Sequence, residues 1–246
     1  MPQQPIFNTV AQDFDKIHQA AIRSTGYPAS HFFEYKVQEI HKELSRRSDL
    51  PMPRTILDFG CGVGNTGPYI RKYFPDSQIF GVDISEASIS IAKEKHKGTD
   101  ISYAVIEANA DDFPFDLQFD LILASMVFHH VPREDHLQVA HRIASLLKPG
   151  GLFFCFELNP YHPASQMIFR KYDMRGDPYA HMLKPRALRS KLSQAFPHVS
   201  RANYKLFFPG YLSLLLPLEK RMTGIPLGAH YYVAAEVSQD KRTQIL

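Results

Sequence analysis

Short apolar runs alternate along the chain with stretches in which apolar residues recur every three or four positions. Thr55 to Gly60 (TILDFG), Gln78 to Ile84 (QIFGVDI), Ile101 to Asn109, Phe119 to Met126 (FDLILASM) and Gly151 to Leu158 (GLFFCFEL) are strand-length runs bounded by turn residues. Runs of this kind suit strands buried on both faces of a parallel sheet. Between them, Ser85 is placed to cap a helix over SEASISIAKEKH, with Ala87, Ile91 and Ala92 on one face. Arg133 to Leu147 sets Leu137, Ala140, Ala144 and Leu147 at helical steps, and Lys148-Pro149-Gly150-Gly151 stops that helix. The alternation predicts a doubly wound α/β domain with right-handed crossovers.

The ends of the chain read differently. Tyr35 to Arg47 predicts an amphipathic helix through Val37, Ile40, His41 and Leu44, so residues 1–50 form a helical N-terminal extension, a cap on a domain spanning 51–246. Residues 159–198 contain Pro, His and helical stretches. Val199 to Phe208 and His230 to Ser238 have strand-like aromatic and β-branched content. The stretch between them, PGYLSLLLPLEKRMTGIPLGA, is a connection of about twenty residues, long for idle linkage in a compact domain. We expect 159–198 and 209–229 to be insertions on the substrate side.

Composition narrows the class. With 246 residues, 44% hydrophobic and 22% charged, the chain suits one large globular domain, not a disordered or disulfide-stapled one. No apolar stretch approaches the roughly 20 residues of a membrane span. The first residues show no basic head followed by an apolar run, so no signal peptide is expected. Two cysteines, Cys61 and Cys155, both within apolar segments, make a reducing cytoplasm the simplest expected setting. Charge is uneven: residues 1–158 carry a net −5 and residues 159–246 a net +8. The basic half is either a solvated surface or a face toward an anionic partner.

The chemistry concentrates in Ile56-Leu-Asp-Phe-Gly-Cys-Gly-Val-Gly-Asn-Thr-Gly67. A strand runs into Gly60, Gly62 and Gly64 and then into a helix marked by Thr66 and Pro68. Such a loop turns sharply and lets a ligand approach the main chain, beside a helix start with unsatisfied N–H groups. Gly62, Gly64 and Gly67 satisfy G-x-G-x-x-G literally, so a nicotinamide dinucleotide has to be weighed. The literal match begins two residues late for that fingerprint, and Asp58 would repel a pyrophosphate while suiting a cationic ammonium. Asp83, ending the next strand, suits ribose hydroxyls in either case.

D-F-G-C-G-V-G-N followed by G-V-D-I-S resembles the class I S-adenosylmethionine-dependent methyltransferases. The likeness continues in order through Glu107-Ala-Asn-Ala-Asp-Asp-Phe-Pro-Phe115, Phe119 to Val131 and Leu146-Leu-Lys-Pro-Gly-Gly151, covering roughly residues 50–160. The resemblance implies a Rossmann-like, mostly parallel seven-stranded sheet and methyl transfer from S-adenosylmethionine, with S-adenosylhomocysteine as product. It implies that Gly60, Cys61, Gly62 and Gly64 meet the methionine part of the cofactor, that Asp83 takes the ribose and that Ile84 packs on adenine. Asn109, Ala110 and Asp111 would meet the adenine edge, and Ser125 and Met126 would lie beneath the sulfonium. Asn109 departs from the Asp of many relatives, although an amide oxygen still accepts a hydrogen bond. Lys36 or Tyr35 would reach the cofactor carboxylate, unless Lys36 is a plain surface lysine.

Outside that frame, His129 and His130 follow the fourth strand and Glu157 ends the fifth, at the ligand edge of the sheet; these are the catalytic candidates, with packing and hydrogen bonding the favoured reading of the histidines. Asn159-Pro160-Tyr161 is similar to the N-P-P-Y signature of amide-directed nucleic-acid methyltransferases but follows the wrong strand. No metal-ligand spacing occurs. The run Leu206 to Leu218 is expected to cover the methyl end of the cofactor and, with residues 1–35 and 159–190, to form a mostly apolar pocket, or else to be core. His162, Arg170, Arg175, His181 and Lys184 are candidates to recognise an anionic acceptor. The expected partner is a small molecule, anionic or lipophilic. Peripheral membrane contact stays open, nucleic acid is disfavoured, and a nicotinamide oxidoreductase and a non-catalytic cofactor-binding partner are the other readings.

Overall fold

The computed structural model describes residues 4–107, 113–173 and 177–239. Three helices come first, α1 (Gln4–Val10), α2 (Phe14–Ile22) and α3 (Ala29–Ser45). Strands and helices then alternate as β1 (Thr55–Phe59), α4 (Gly67–Tyr73), β2 (Gln78–Asp83), α5 (Glu86–Lys95), β3 (Ile101–Val105), β4 (Phe119–Ser125), α6 (His136–Leu146) and β5 (Leu147–Leu158). The chain closes with α7 (Pro163–Ile168), α8 (Pro185–Ala195), β6 (His198–Val199), β7 (Asn203–Lys205), α9 (Leu216–Met222) and β8 (His230–Glu236).

The sheet order is β3-β2-β1-β4-β5-β8-β6, with β7 also paired to β8. β1 to β5 are mutually parallel, and β8 runs antiparallel against β5. The expected seven strands become eight because the edge run from Val199 is broken. Val199 pairs with Ala235, the chain leaves the ladder, and Asn203 re-enters opposite Tyr232. The helix stop at Lys148-Pro149-Gly150 belongs to β5, where register shifts between Phe119 and Leu121 of the facing strand.

Alternation along each strand divides the interior in two. Leu57, Ile122, Phe153 and Cys155 face α6 and α8, packing with Ala140, Ile143, Leu188 and Leu192. Ile56, Leu121, Leu123, Phe154 and Phe156 face α3 and α4, packing with Val37, Ile40, Leu44 and Ile70. The period therefore directs Asp58 and Ser125 toward α3, and Glu157 toward the opposite face. Ser85 caps α5 as expected, its side chain accepting from the Ser88 N–H.

Candidate active site

The chain leaves β1 for β2 and β3 on one side of the sheet, then returns to β4 and β5 on the other. A crevice opens at this reversal, outside the carboxyl ends of β1 and β4, where open α/β sheets bind ligands. A cavity of about 680 Å³ occupies it. Its floor is the loop from Asp58 to Val63 with Asp83, Ile84, Ser125 and Met126, and its roof comes from the N-terminal helices through Phe7, Phe14, Ile17, His18, Phe32 and Phe33.

The loop is tied down at several points. Gly60 and Cys61 both donate their N–H to the Val82 carbonyl, at 2.8 and 2.9 Å. Asp83 accepts from the Gly62 N–H at 2.8 Å through one oxygen and from the Ser85 N–H at 2.9 Å through the other. Each carboxylate oxygen keeps a further lone pair for a ligand hydroxyl. Burial raises the Asp83 pKa, opposed by the N–H groups of Ser85, Gly62 and Ile84. Gly60 has φ +76°, and a Cβ there would stand 2.4 Å from Val127 Cγ2. At Gly62 a Cβ would meet nothing within 4 Å, which leaves a backbone cradle open to a ligand. Met126 holds φ 60°, a left-handed conformation that costs a non-glycine residue free energy and recurs at ligand sites.

At the other end, ionisable groups gather. Lys36 of α3 is buried and donates through Nζ to Ser125 Oγ at 2.6 Å. Burial lowers its pKa to about 8, opposed by the charges of Glu157 and Asp58. Asp58 is pushed up to about 7 by burial, opposed by Lys36, with Asp83 adding to the rise and a hydrogen bond from Thr66 opposing it. His129 Nδ1 lies 2.7 Å from Glu157 Oε2, both groups buried, and Glu157 Oε1 has no hydrogen-bond partner among the described residues. His130 Nδ1 lies 2.6 Å from Asp177 Oδ2, and the two imidazoles stand 4.0 Å apart at their centroids. Burial and the neighbouring His129 lower the His130 pKa to about 4, against the pull of Asp177 and Glu157.

Of the residues singled out in the sequence, Gly60, Cys61, Gly62, Asp83, Ile84, Ser125, Met126, His129 and His130 line one cavity. Gly64 does not line it. Its missing Cβ admits the Tyr103 hydroxyl and the Ala92 methyl, at 2.9 and 3.1 Å from where a Cβ would sit. Glu157 is also outside the lining and is hydrogen-bonded to His129, which lines the cavity. Asn109, Ala110 and Asp111 lie outside the described residues, as does Arg175. Tyr35 does not line the cavity; its hydroxyl lies 2.7 Å from Nδ1 of His230, which does, and Lys36 is the charged α3 group among the lining residues.

Two expectations about the C-terminal half are corrected. No residue of 206–229 lines the cavity. That stretch packs outside, on the turn between α2 and α3, where the Tyr27 hydroxyl donates to the Phe208 carbonyl at 3.1 Å. His162, Arg170, His181 and Lys184 are also absent from the lining. His162 caps α7, accepting from the Ser165 N–H, and His181 stacks on His136. Asn159 is a bracket, donating to the carbonyls of Pro226 and Gly228.

Sequence reasoning placed residues 1–35 at the pocket without singling out the roof residues, and it missed Asp177. His18 lies among Phe14, Phe32 and Phe33, and its pKa is lowered to about 4 by burial and by Lys36, with Asp15 opposing. Asp177 stands 47 positions from its partner, with no local pattern to announce it.

The family model described as "Methyltransferase domain" matches residues 56–151. A demethylmenaquinone methyltransferase of Lactococcus lactis is 28% identical over 205 residues, 79% of this chain and 75% of that protein. A trans-aconitate 2-methyltransferase of Rhodopseudomonas palustris is 29% identical over 152 residues, 61% of this chain, and the match spans just 57% of that relative. Among solved structures, magnesium protoporphyrin IX methyltransferase from Synechocystis, with bound SAH, superposes with a TM-score of 0.62 at 18% identity, covering 96% of this chain and 98% of that one. This last likeness is one of fold.

Proposed function

Residues 56–151 make this chain a member of the class I S-adenosylmethionine-dependent methyltransferases, and on that premise we propose that it methylates a small lipophilic acceptor bearing an ionisable hydroxyl. The observation that carries this reading is a single cavity joining the open cradle at Gly62 to an aromatic roof, with Lys36, Ser125, His129 and His130 between them.

Bound S-adenosylmethionine supplies a sulfonium methyl for in-line transfer. Asp83 holds the ribose hydroxyls in this reading, and Lys36 takes the amino-acid carboxylate. Asp58, half-protonated near neutrality, faces the ammonium. The roof residues Phe7, Phe14, Phe32 and Phe33 offer apolar walls that align the acceptor and exclude water. His129 accepts the acceptor proton, while Glu157 fixes its tautomer and stabilises the imidazolium. Neutral His130, held by Asp177, packs against that ring.

The relatives that act on demethylmenaquinone and trans-aconitate represent the two acceptor chemistries, lipophilic and polyanionic. The aromatic roof supports the first. Incubating the purified protein with S-adenosylmethionine and parallel panels of lipophilic phenols or hydroquinones and of tricarboxylates tests this. Acceptor-dependent S-adenosylhomocysteine is expected from the first panel; formation from the tricarboxylates alone would overturn the acceptor class.

A further inference from the structure

Between β7 and β8 the chain leaves the sheet and turns its apolar residues outward. Leu206, with φ 61°, makes the exit, and the segment runs through a 3-10 turn over Gly210–Leu215 into α9 and back by way of Leu227. Leu214 is 93% exposed, Tyr211 72% and Leu227 61%, and Leu212, Leu218 and Ile225 are exposed beside them. Contiguous apolar exposure of this kind marks an interaction surface.

The segment is held, not frayed. Glu219 turns inward, its Oε1 accepting from the Phe207 and Phe208 N–H groups at 2.8 and 3.0 Å. The Thr223 carbonyl accepts from the Tyr204 N–H at 2.7 Å, and Asn159 grips the carbonyls of Pro226 and Gly228. Glu219 is the one acid between residues 209 and 229, so with it engaged at the base, the charges left facing solvent are those of Lys220 and Arg221. Neither forms an ion pair among the described residues. The result is an exposed apolar tip with two cations beside it.

We propose that this knob docks the protein on an anionic lipid bilayer. Tyr211 and Leu214 enter the boundary between headgroups and acyl chains, and Lys220 and Arg221 meet the headgroup charge. An exposed apolar tip with cations beside it suits a deformable anionic plane, whereas a protein partner would need a matching cleft. The placement also bears on the acceptor. Gly210 seats against Gly26 and the Tyr27 ring, at the turn joining the two helices that roof the cavity. Docking would therefore bring the roof to the lipid surface, where a lipophilic acceptor resides. That consequence rests on the proposed acceptor class; the docking itself does not.

Flotation of the full chain with vesicles tests it, using phosphatidylcholine alone and phosphatidylcholine mixed with phosphatidylglycerol. The protein should float with the anionic vesicles and lose that binding at high salt. Tyr211→Ser with Leu214→Ser should abolish flotation, and Lys220→Ala with Arg221→Ala should reduce partition about 30-fold, from roughly 1 kcal/mol per basic residue near the surface. S-adenosylhomocysteine binding should be unchanged in both double variants, which separates lost docking from lost folding or a failed cofactor reading. No flotation with either vesicle, or variants that float like the parent, would overturn the proposal. So would a dimer in sedimentation that the Tyr211→Ser, Leu214→Ser variant dissolves without any vesicle binding.

Discussion

Lys36, in the middle of α3, meets Ser125, the last residue of β4, at 2.6 Å inside the cavity. The contact joins the N-terminal cap to the end of the sheet where the chemistry is proposed. A lysine buried to this degree is retained at a cost unless something pairs with it, and here Glu157 and Asp58 supply its nearest opposing charges. A ligand carboxylate would complete the set.

Removing that charge should weaken the cofactor. Lys36→Met is expected to cost about 1.5–3 kcal/mol in S-adenosylmethionine binding, the range for a hydrogen bond to a charged group. Because the Lys36 pKa is lowered to about 8, affinity in the parent should hold below that pH and fall above it as the ammonium loses its proton. Lys36→Arg, charged throughout, should flatten the profile. Calorimetric titration between pH 6.5 and 9.5 reads both effects, and a flat parent profile would place the carboxylate elsewhere.

Asp83→Ala should weaken the same ligand by about 1.5–3 kcal/mol. It also frees the Gly62 N–H, so the variant's melting temperature has to be compared first. Unchanged affinity in a folded variant would overturn the ribose assignment.

At the opposite wall, His129→Ala should lower kcat about 10²–10⁴-fold, the usual contribution of a positioned base. S-adenosylhomocysteine affinity should be unaffected. Glu157→Gln should give a smaller loss and move the acid limb of the kcat profile to lower pH, since the imidazolium loses its counter-charge. Equal losses in kcat and in cofactor affinity would reduce the pair to packing.

Stability should fall with acid. His18, His130 and His230 all have pKa values depressed in the folded chain, burial being the largest cause in each. The unfolded chain therefore takes up protons first, near pH 6.5, and stability is lost as pH falls from there toward 4. Asp58 works the other way, because its raised pKa lets the folded state bind a proton from about pH 7 downward. Asp83 is raised as well, but His31, His96, His136 and His162 are depressed alongside the first three rings, so the histidines outweigh the two carboxyls and predict a lower urea midpoint at pH 5 than at pH 7. A higher midpoint at pH 5 would contradict the burial of these rings.

The strands β1, β2, β4 and β5 were legible because they are largely buried on both faces, which leaves apolar runs of strand length bounded by turn residues, and the edge strand β3 carries the same pattern more weakly. The glycine loop and Asp83 were legible for a related reason: one tight turn and one strand end hold their chemistry locally. The roof was legible as a region but not residue by residue. Phe7, Phe14 and His18 come from short helices that carry no long amphipathic stripe, and Phe32 sits in the first turn of α3, ahead of the stripe through Val37, Ile40 and Leu44. Leu214 shows the converse error. An apolar run suggested a lid or core, yet its side chains point to solvent, which sequence periodicity cannot distinguish from burial. Asp177 became visible as the partner of His130 once the fold brought them together.

The central claim is that one cavity holds S-adenosylmethionine between the Gly62 cradle and Lys36. Parallel calorimetric titration of the purified protein with S-adenosylmethionine, S-adenosylhomocysteine and NADH tests it most directly. Saturable one-to-one binding of the first two, weakened by Asp83→Ala and by Lys36→Met, with no heat from NADH, is the expected result. Binding of NADH alone would contradict the account at its foundation.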